Sequence, residues 1–220
     1  MTDLWPGPGQ AAVFATAVFV LNATPGVDFL LTVTRTLQGG ARAGVAAVAG
    51  INAGCVLHAL AAAFGLAALL AVHPGAFRLI QWAGAAYLVW LGIGMLRQAL
   101  RRGETWVLPA STPVPARPWA VDFRVGLLTN VLNPKVALFF LAFLPQFVPA
   151  GSPSPTASFL LLGAWFVVQG GLFSLALVAL AARLGRLGAR PGLRRVLNGV
   201  GGLLFIGLAL RLLRERPVVA

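Results

Sequence analysis

A long apolar run near the start of the chain is interrupted by NATPGVD, residues 22–28. A second apolar run is interrupted in the same way by NVLNPK, residues 130–135. In both stretches a short polar side chain precedes a proline, which disrupts a helix because it lacks the backbone N–H group. Each proline falls near the middle of its run. The two stretches therefore predict two helices that are broken partway along.

Composition places both stretches in a membrane protein. The 220 residues are 59% hydrophobic and only 10% charged, and mean hydropathy is +0.87, which excludes a soluble or a disordered chain. About 20 apolar residues in a helix cross a bilayer. Six such spans are predicted, at 10–34, 43–72, 79–96, 125–148, 156–182 and 196–210. The predicted fold class is all-α integral membrane, because lipid-exposed backbone must satisfy its own hydrogen bonds.

The net charge of +12 follows membrane topology rather than nucleic-acid binding. Twelve of the sixteen arginines fall in the first, third and fifth loops between the predicted spans. Positively charged loops stay in the cytoplasm, so the third loop is predicted to be cytoplasmic and both termini external. Three arginines at 211–216 oppose this pattern, and the side on which the C-terminus lies stays open. The bilayer is a predicted partner and nucleic acid is not.

The third loop divides the chain into two similar halves. Residues 98–122 hold four prolines among small and polar residues, as in an extended linker. The linker separates a three-span repeat at 1–97 from another at 123–220. An odd number of spans inverts the second repeat in the membrane, and inverted repeats with matching broken helices are typical of transporters. Glycine faces on the spans also allow a homodimer.

Each break is predicted to begin a new half-helix. Thr24 and Asn133 are suitable N-cap residues, and Pro25 and Pro134 suit the first helical position. In inverted repeats the two half-helices would meet at their N-termini in mid-membrane. Free N–H groups and positive dipole ends would then form an anion site.

Asp28 and Lys135 are the only formal charges deep within the predicted spans. Buried charges in a membrane usually face a cavity or a partner. One anion, one cation and two helix N-termini complement a zwitterion such as an amino acid, and Asp28 could also carry a proton. The alternative is that Asp28 and Lys135 pair as a structural lock. The candidate substrate-binding residues are Asn22, Thr24, Pro25, Gly26, Asp28, Asn130, Asn133, Pro134 and Lys135.

Further polar residues in the spans are weaker candidates for lining the cavity. They are Asn52, His58, Tyr87 and Gln169, and each could equally make a structural contact between helices. His58 is interpreted first as structural and second as a proton relay. His58 and Cys55 share a helical face, and with Asp28 they could bind a soft metal, which makes a metal or cation exporter the alternative function.

Two other classes of protein fit less well. An intramembrane enzyme needs a nucleophile or an acid–base pair, and the spans are poor in such groups, so no catalytic residue, metal or cofactor is predicted. A structural subunit of a larger assembly would tolerate the loss of Asp28.

The sequence resembles the LysE/RhtB family of amino-acid exporters in three stretches. They are TPGVD at 24–28, GAAYLVWLG at 84–92, and residues 127–145, which contain LNPK and end in FLP. The resemblance implies secondary export of amino acids across the bacterial inner membrane, driven by the proton gradient through antiport. It matches Pro25, Gly26, Asp28, Asn133, Pro134 and Lys135 to the family's motifs. The chain departs from the family at Val27, where a second proline is common.

Overall fold

The computed structural model describes residues 4–66, 117–149 and 152–184, with isolated positions in 79–100 and 203–210. Regular structure in these parts of the chain is entirely helical, as predicted. The main helices are α1 (Pro8–Ala23), α2 (Val27–Ala61), α3 (Trp119–Val131), α4 (Pro134–Leu138) and α5 (Pro155–Leu184). A π-helical turn, Ala62–Leu66, follows α2, and α4 continues through the π-helical Phe139–Phe143 and the 3-10 turn Leu144–Phe147.

Both predicted breaks are present. At the first, Thr24 and Gly26 are extended, with φ/ψ of −72°/120° and −141°/−173°, and they separate α1 from α2. The extended Thr24 follows from its place before a proline, which disfavours the helical region. At the second, the helical pair Trp119–Val131 and Pro134–Phe147 is bent by 49°.

A sharp turn at Gly40 lies inside α2. Gly40 has φ 75° and ψ −179°, a conformation that residues with a Cβ rarely adopt. The Thr36 hydroxyl lies against Gly44, although eight residues of continuous helix would separate the two by about 12 Å. The chain therefore reverses direction at Gly40, where the sequence predicted the first loop.

The second segment of α2 packs against α3 at very short range. A Cβ on Gly50 would overlap the backbone of Phe123, and a Cβ on Gly126 would overlap the carbonyl group of Ala47. Gly54 similarly leaves room for the Asn130 side chain. Gly50, Gly54 and Gly126 therefore permit the close approach of the two helices. This contact joins the two halves of the chain.

We expect Gly126→Ala to destabilise the fold, because the added methyl group meets backbone rather than a flexible side chain. Overpacking of this kind costs about 1–3 kcal/mol in the free energy of unfolding. Gly9→Ala is the matched control, since a Cβ on Gly9 would meet nothing within 4 Å. Thermal unfolding in detergent checks both variants. Equal melting temperatures for the two would contradict the close helix crossing.

The outer surface of these helices is apolar. On α5, Val168 is 60% exposed and Leu172 is 65% exposed, and Leu132 beside the second break is 76% exposed. By length and composition, Val27–Gly65, which includes the reversal at Gly40, and Pro155–Arg183 each hold a stretch that could cross a membrane, and the bent pair could form a third span. Helices that are apolar on their outer faces suit lipid, which supports a membrane location.

Several predictions fall wholly or mainly outside the described residues. They concern Tyr87, most of the 98–122 linker and most of the third and sixth spans. The isolated described positions in 79–100 and 203–210 are all helical. The last residues of the predicted linker, from Trp119 onward, belong to α3.

Candidate site at the paired helix breaks

The two breaks lie against one cavity of about 40 Å³. A cavity needs roughly 10–15 Å³ to hold one water molecule, so this volume corresponds to about three waters. Most of the candidate substrate-binding residues line it: Asn22, Thr24, Gly26, Asp28, Asn130, Asn133 and Lys135. Pro25 and Pro134 do not line the cavity, but they create the breaks beside it. Asn52 also lines the cavity, whereas His58 and Gln169 do not.

The Asp28 carboxylate, in the first turn of α2, is held by two carboxamides from the other half of the chain. Its Oδ2 accepts hydrogen bonds from Asn130 Nδ2 at 2.8 Å and from Asn133 Nδ2 at 2.9 Å. The other oxygen, Oδ1, is buried without a partner among the described residues, and so is Asn130 Oδ1. Each of these two buried acceptors lacks a donor, and an unsatisfied buried polar atom is costly, so each is a candidate for binding a ligand.

Asn133 joins the two breaks. Its Oδ1 accepts a hydrogen bond from the Lys135 backbone N–H at 3.0 Å, so Asn133 is the N-cap of α4 and Pro134 is the first helical residue. The amide nitrogen of the same side chain binds Asp28. The predicted start of α4 is therefore confirmed, and the N-termini of α2 and α4 lie next to each other.

The corresponding prediction for the first break is wrong. Thr24 does not cap α2, because its hydroxyl donates a 2.6 Å hydrogen bond back to Val20 O, and Thr24 is the C-cap of α1. Gly26 is the N-cap of α2, and its carbonyl accepts from the Leu30 N–H at 2.9 Å. Pro25 therefore lies in the break rather than at the first helical position.

Lys135 reaches from the second break to the end of α1. Its Nζ donates to Leu21 O at 2.6 Å and to Thr24 O at 3.2 Å. In a continuous helix the N–H four residues later would bind Leu21 O, but that residue is Pro25, which has no N–H. Lys135 thus replaces the donor that Pro25 lacks. No ion pair within 4.0 Å joins Lys135 to Asp28, so the alternative of a structural lock between these two charges is not observed.

His58 makes a similar contact at the second break. Pro134 removes the N–H group four residues after Asn130, and the Asn130 carbonyl accepts instead from the Asn133 N–H at 2.9 Å. The His58 Nε2 lies 3.2 Å from the same carbonyl oxygen, and a hydrogen bond between them requires the proton on Nε2 because a carbonyl only accepts. The first half thus supplies a donor to the second break, as the second half does to the first. This contact agrees with the structural interpretation of His58.

Gln169 connects two helices away from the cavity. Its Nε2 donates to Ala15 O in α1 at 2.7 Å, and its Oε1 accepts from Trp165 Nε1 at 2.5 Å. These two hydrogen bonds satisfy the amide nitrogen and oxygen of Gln169, which agrees with a structural contact between helices.

We expect Lys135→Met to lower the stability of the fold, because it leaves the carbonyls of Leu21 and Thr24 without their donor. Stranding a buried acceptor costs about 1–3 kcal/mol in the free energy of unfolding. Lys135→Arg retains a donor and should recover part of this loss. Thermal unfolding in detergent measures both, and a Met variant as stable as the wild type would exclude the proposed cap.

Part of the cavity wall was missing from the sequence prediction. One face of α5 lines the cavity with Phe166, Gly170, Phe173, Ser174 and Leu177. Their helical spacing was visible in the sequence, but an apolar helix gives no indication of which face meets a cavity. The useful signal is Gly170 and Ser174, two small residues one turn apart within a long apolar run.

The arrangement does not favour the metal alternative. Asp28 and Cys55 line the cavity, but the Nε2 of His58 is occupied by the carbonyl of Asn130. Among the described residues, no group of three or more His, Cys, Asp or Glu side chains could hold a metal ion.

An apolar helical exterior, a broken helix in each half of the chain and a polar cavity at the breaks define the class of membrane transporters. Comparison with known proteins gives the family. A protein-family model described as LysE type translocator matches residues 19–216 of the 220 residues. The chain belongs to this family.

Similar proteins cover most of this chain. An uncharacterized membrane protein of Vibrio cholerae is 34% identical over 91% of this chain and 94% of its own. The homoserine/homoserine lactone efflux protein of Salmonella typhimurium is 30% identical over 85% of this chain and 87% of its own length. The leucine efflux protein of an Enterobacter strain is 28% identical over 90% of this chain and 92% of its own length. No solved structure matched the chain.

Proposed function

We propose that this protein is a secondary transporter that exports amino acids from the cytoplasm. Family membership and the names of two relatives, a homoserine and a leucine efflux protein, support this function. The observation that carries it is the unpartnered Asp28 oxygen at the meeting point of two broken helices. Metal export is not favoured.

The substrate's ammonium group binds the buried Asp28 Oδ1. An ammonium has three N–H donors and a positive charge, and therefore supplies both the donor and the opposite charge that this carboxylate oxygen lacks. The substrate's carboxylate binds near the N-termini of α2 and α4, close to Lys135. Two of the three Lys135 N–H groups bind backbone carbonyls, which leaves one for this carboxylate.

Coupling to protons follows from competition for Asp28. A proton on Asp28 would remove the negative charge that attracts the ammonium group, and the resulting hydroxyl could donate to Asn130. The proton and the substrate would then exclude each other from one site. Mutually exclusive binding, with alternating exposure of the site to the two sides, produces antiport.

Alternating exposure requires the two halves to move apart. The cavity has room for about three water molecules, fewer heavy atoms than homoserine or leucine contains, so substrate must enter when the helices separate. We propose that six helices form two inverted repeats, 1–97 and 123–220, joined by a cytoplasmic linker at 98–122. Rocking of one repeat against the other would break and remake the contacts of Lys135 and His58 across the halves.

Counterflow in proteoliposomes tests the transport function without assuming a coupling ion. Vesicles containing the wild-type protein are loaded with unlabelled homoserine or leucine, and the same labelled amino acid is added outside. We expect transient accumulation of label above its external concentration. Protein-free vesicles are the control. If no amino acid in a full screen exchanges through folded protein, the proposed function is wrong.

A further inference from the structure

The cavity has a second set of polar groups, away from the charged pair. Asn52 in α2 and Ser174 in α5 both line it. The Asn52 amide nitrogen lies directly over the Cα of Gly171, where any Cβ would collide with it. Gly171 and Ser174 are three residues apart and share a face of α5. The Asn52 carboxamide therefore contacts α5 within one helical turn of Ser174, and both side chains line the cavity.

These two polar groups are available to a ligand. Neither side chain makes a hydrogen bond or ion pair with the part of the chain that the structure describes. The neighbouring Asn22 differs, because its Nδ2 donates to Val18 O at 2.8 Å. Ser174 is also unusual for a helical serine, since such hydroxyls often bind the carbonyl four residues earlier.

The remaining wall around this set is uncharged. Phe166, Phe173 and Leu177 from α5 complete this side of the cavity. Asp28 and Lys135 are the only Asp, Glu, Lys or Arg residues among those lining it. A charged group on the substrate's side chain would have no opposite charge here, and its desolvation would be unfavourable.

We propose that Asn52 and Ser174 form a specificity subsite that hydrogen-bonds an uncharged polar group on the side chain of the transported amino acid. The subsite rests on the proposed function, in which Asp28 binds the ammonium group of the same molecule. Asn52 and Ser174 are half-buried, and a bound substrate would exclude water from them. A site built to bind a hydroxyl discriminates against an analogue without one, because polar groups that have lost water then lack a partner.

A matched pair of substrates tests the subsite. Homoserine and norvaline differ only in whether a hydroxyl or a methyl group ends the side chain. We expect wild-type counterflow to favour homoserine by at least about tenfold, the factor that corresponds to 1.4 kcal/mol. Ser174→Ala and Asn52→Leu should each reduce the preference at least about fivefold, chiefly by slowing homoserine. Ser174→Thr retains the hydroxyl and should keep the preference.

Ser158→Ala is the control on the same helix, because Ser158 is buried against Ser152 and does not line the cavity. Its homoserine preference should equal that of the wild type. Wild-type exchange of both amino acids without any preference, or a preference that both variants retain, would overturn the subsite and leave the transport function intact. If the folded wild type exchanges neither amino acid, both the subsite and the proposed transport function on which it rests are overturned.

Discussion

Asp28→Asn is expected to reduce amino-acid exchange by at least about 100-fold while the protein remains folded. The loss follows from charge, since Asp28 is the only acidic residue among those lining the cavity. The variant removes the ionic partner of the ammonium group and places an amide in contact with it. A 100-fold loss corresponds to about 2.8 kcal/mol at 1.4 kcal/mol per factor of ten.

The fold should survive this substitution because asparagine can keep the hydrogen bonds that the Asp28 carboxylate makes with the rest of the protein. Its Oδ1 can accept the hydrogen bonds that Asp28 Oδ2 receives from Asn130 and Asn133. The Nδ2 then takes the place of the second carboxylate oxygen, which has no partner among the described residues. Counterflow and thermal unfolding on one preparation separate the two effects. Normal exchange by the variant would assign Asp28 a structural role only.

Asp122→Ala is expected to destabilise the protein by about 3–5 kcal/mol, because it leaves the charge of Arg35 buried and unpaired. Asp122 is 1% exposed and Arg35 is 8% exposed. They form the only ion pair within the described ranges, between α2 and α3. Arg35 Nε already lacks a partner among the described residues, so the guanidinium has no alternative acceptor there. Thermal unfolding in detergent measures the loss.

Two further variants make the Asp122 prediction specific. Replacing both partners by leucine removes the unpaired charge and should recover most of the stability. Arg124→Ala removes an exposed charge from the same helix and should change little. A double variant as unstable as Asp122→Ala would show that packing, rather than the buried charge, controls this position.

The sequence predicted the helix breaks because their cause is local. A proline without an N–H ends a helix wherever it occurs, and Asn133 caps the next helix with its own side chain. The same logic failed at Thr24. There the hydroxyl binds within α1, and two extended residues separate that helix from α2.

The contacts between the halves could not be read from the sequence. Arg35 was counted as a loop charge that sets topology, but it lies inside α2 against Asp122, and such pairing depends on the tertiary arrangement. Lys135 is predicted to face Asp28 or the substrate, and nothing in the sequence indicates the two backbone carbonyls to which it donates. Each proline removes the helical N–H donor of the carbonyl four residues before it, which indicates Leu21 and Asn130 as acceptors but not Lys135 and His58 as donors.

Movement of an amino acid driven by a proton gradient tests the central claim most directly. Labelled homoserine or leucine is followed in proteoliposomes with the gradient imposed in each direction, for the wild type and Asp28→Asn. The account predicts that the wild type moves amino acid opposite to the proton flow and that Asp28→Asn does not. The account would be contradicted if the direction of amino-acid transport by the wild type did not depend on the gradient. It would also be contradicted if the folded protein transported no amino acid in either direction.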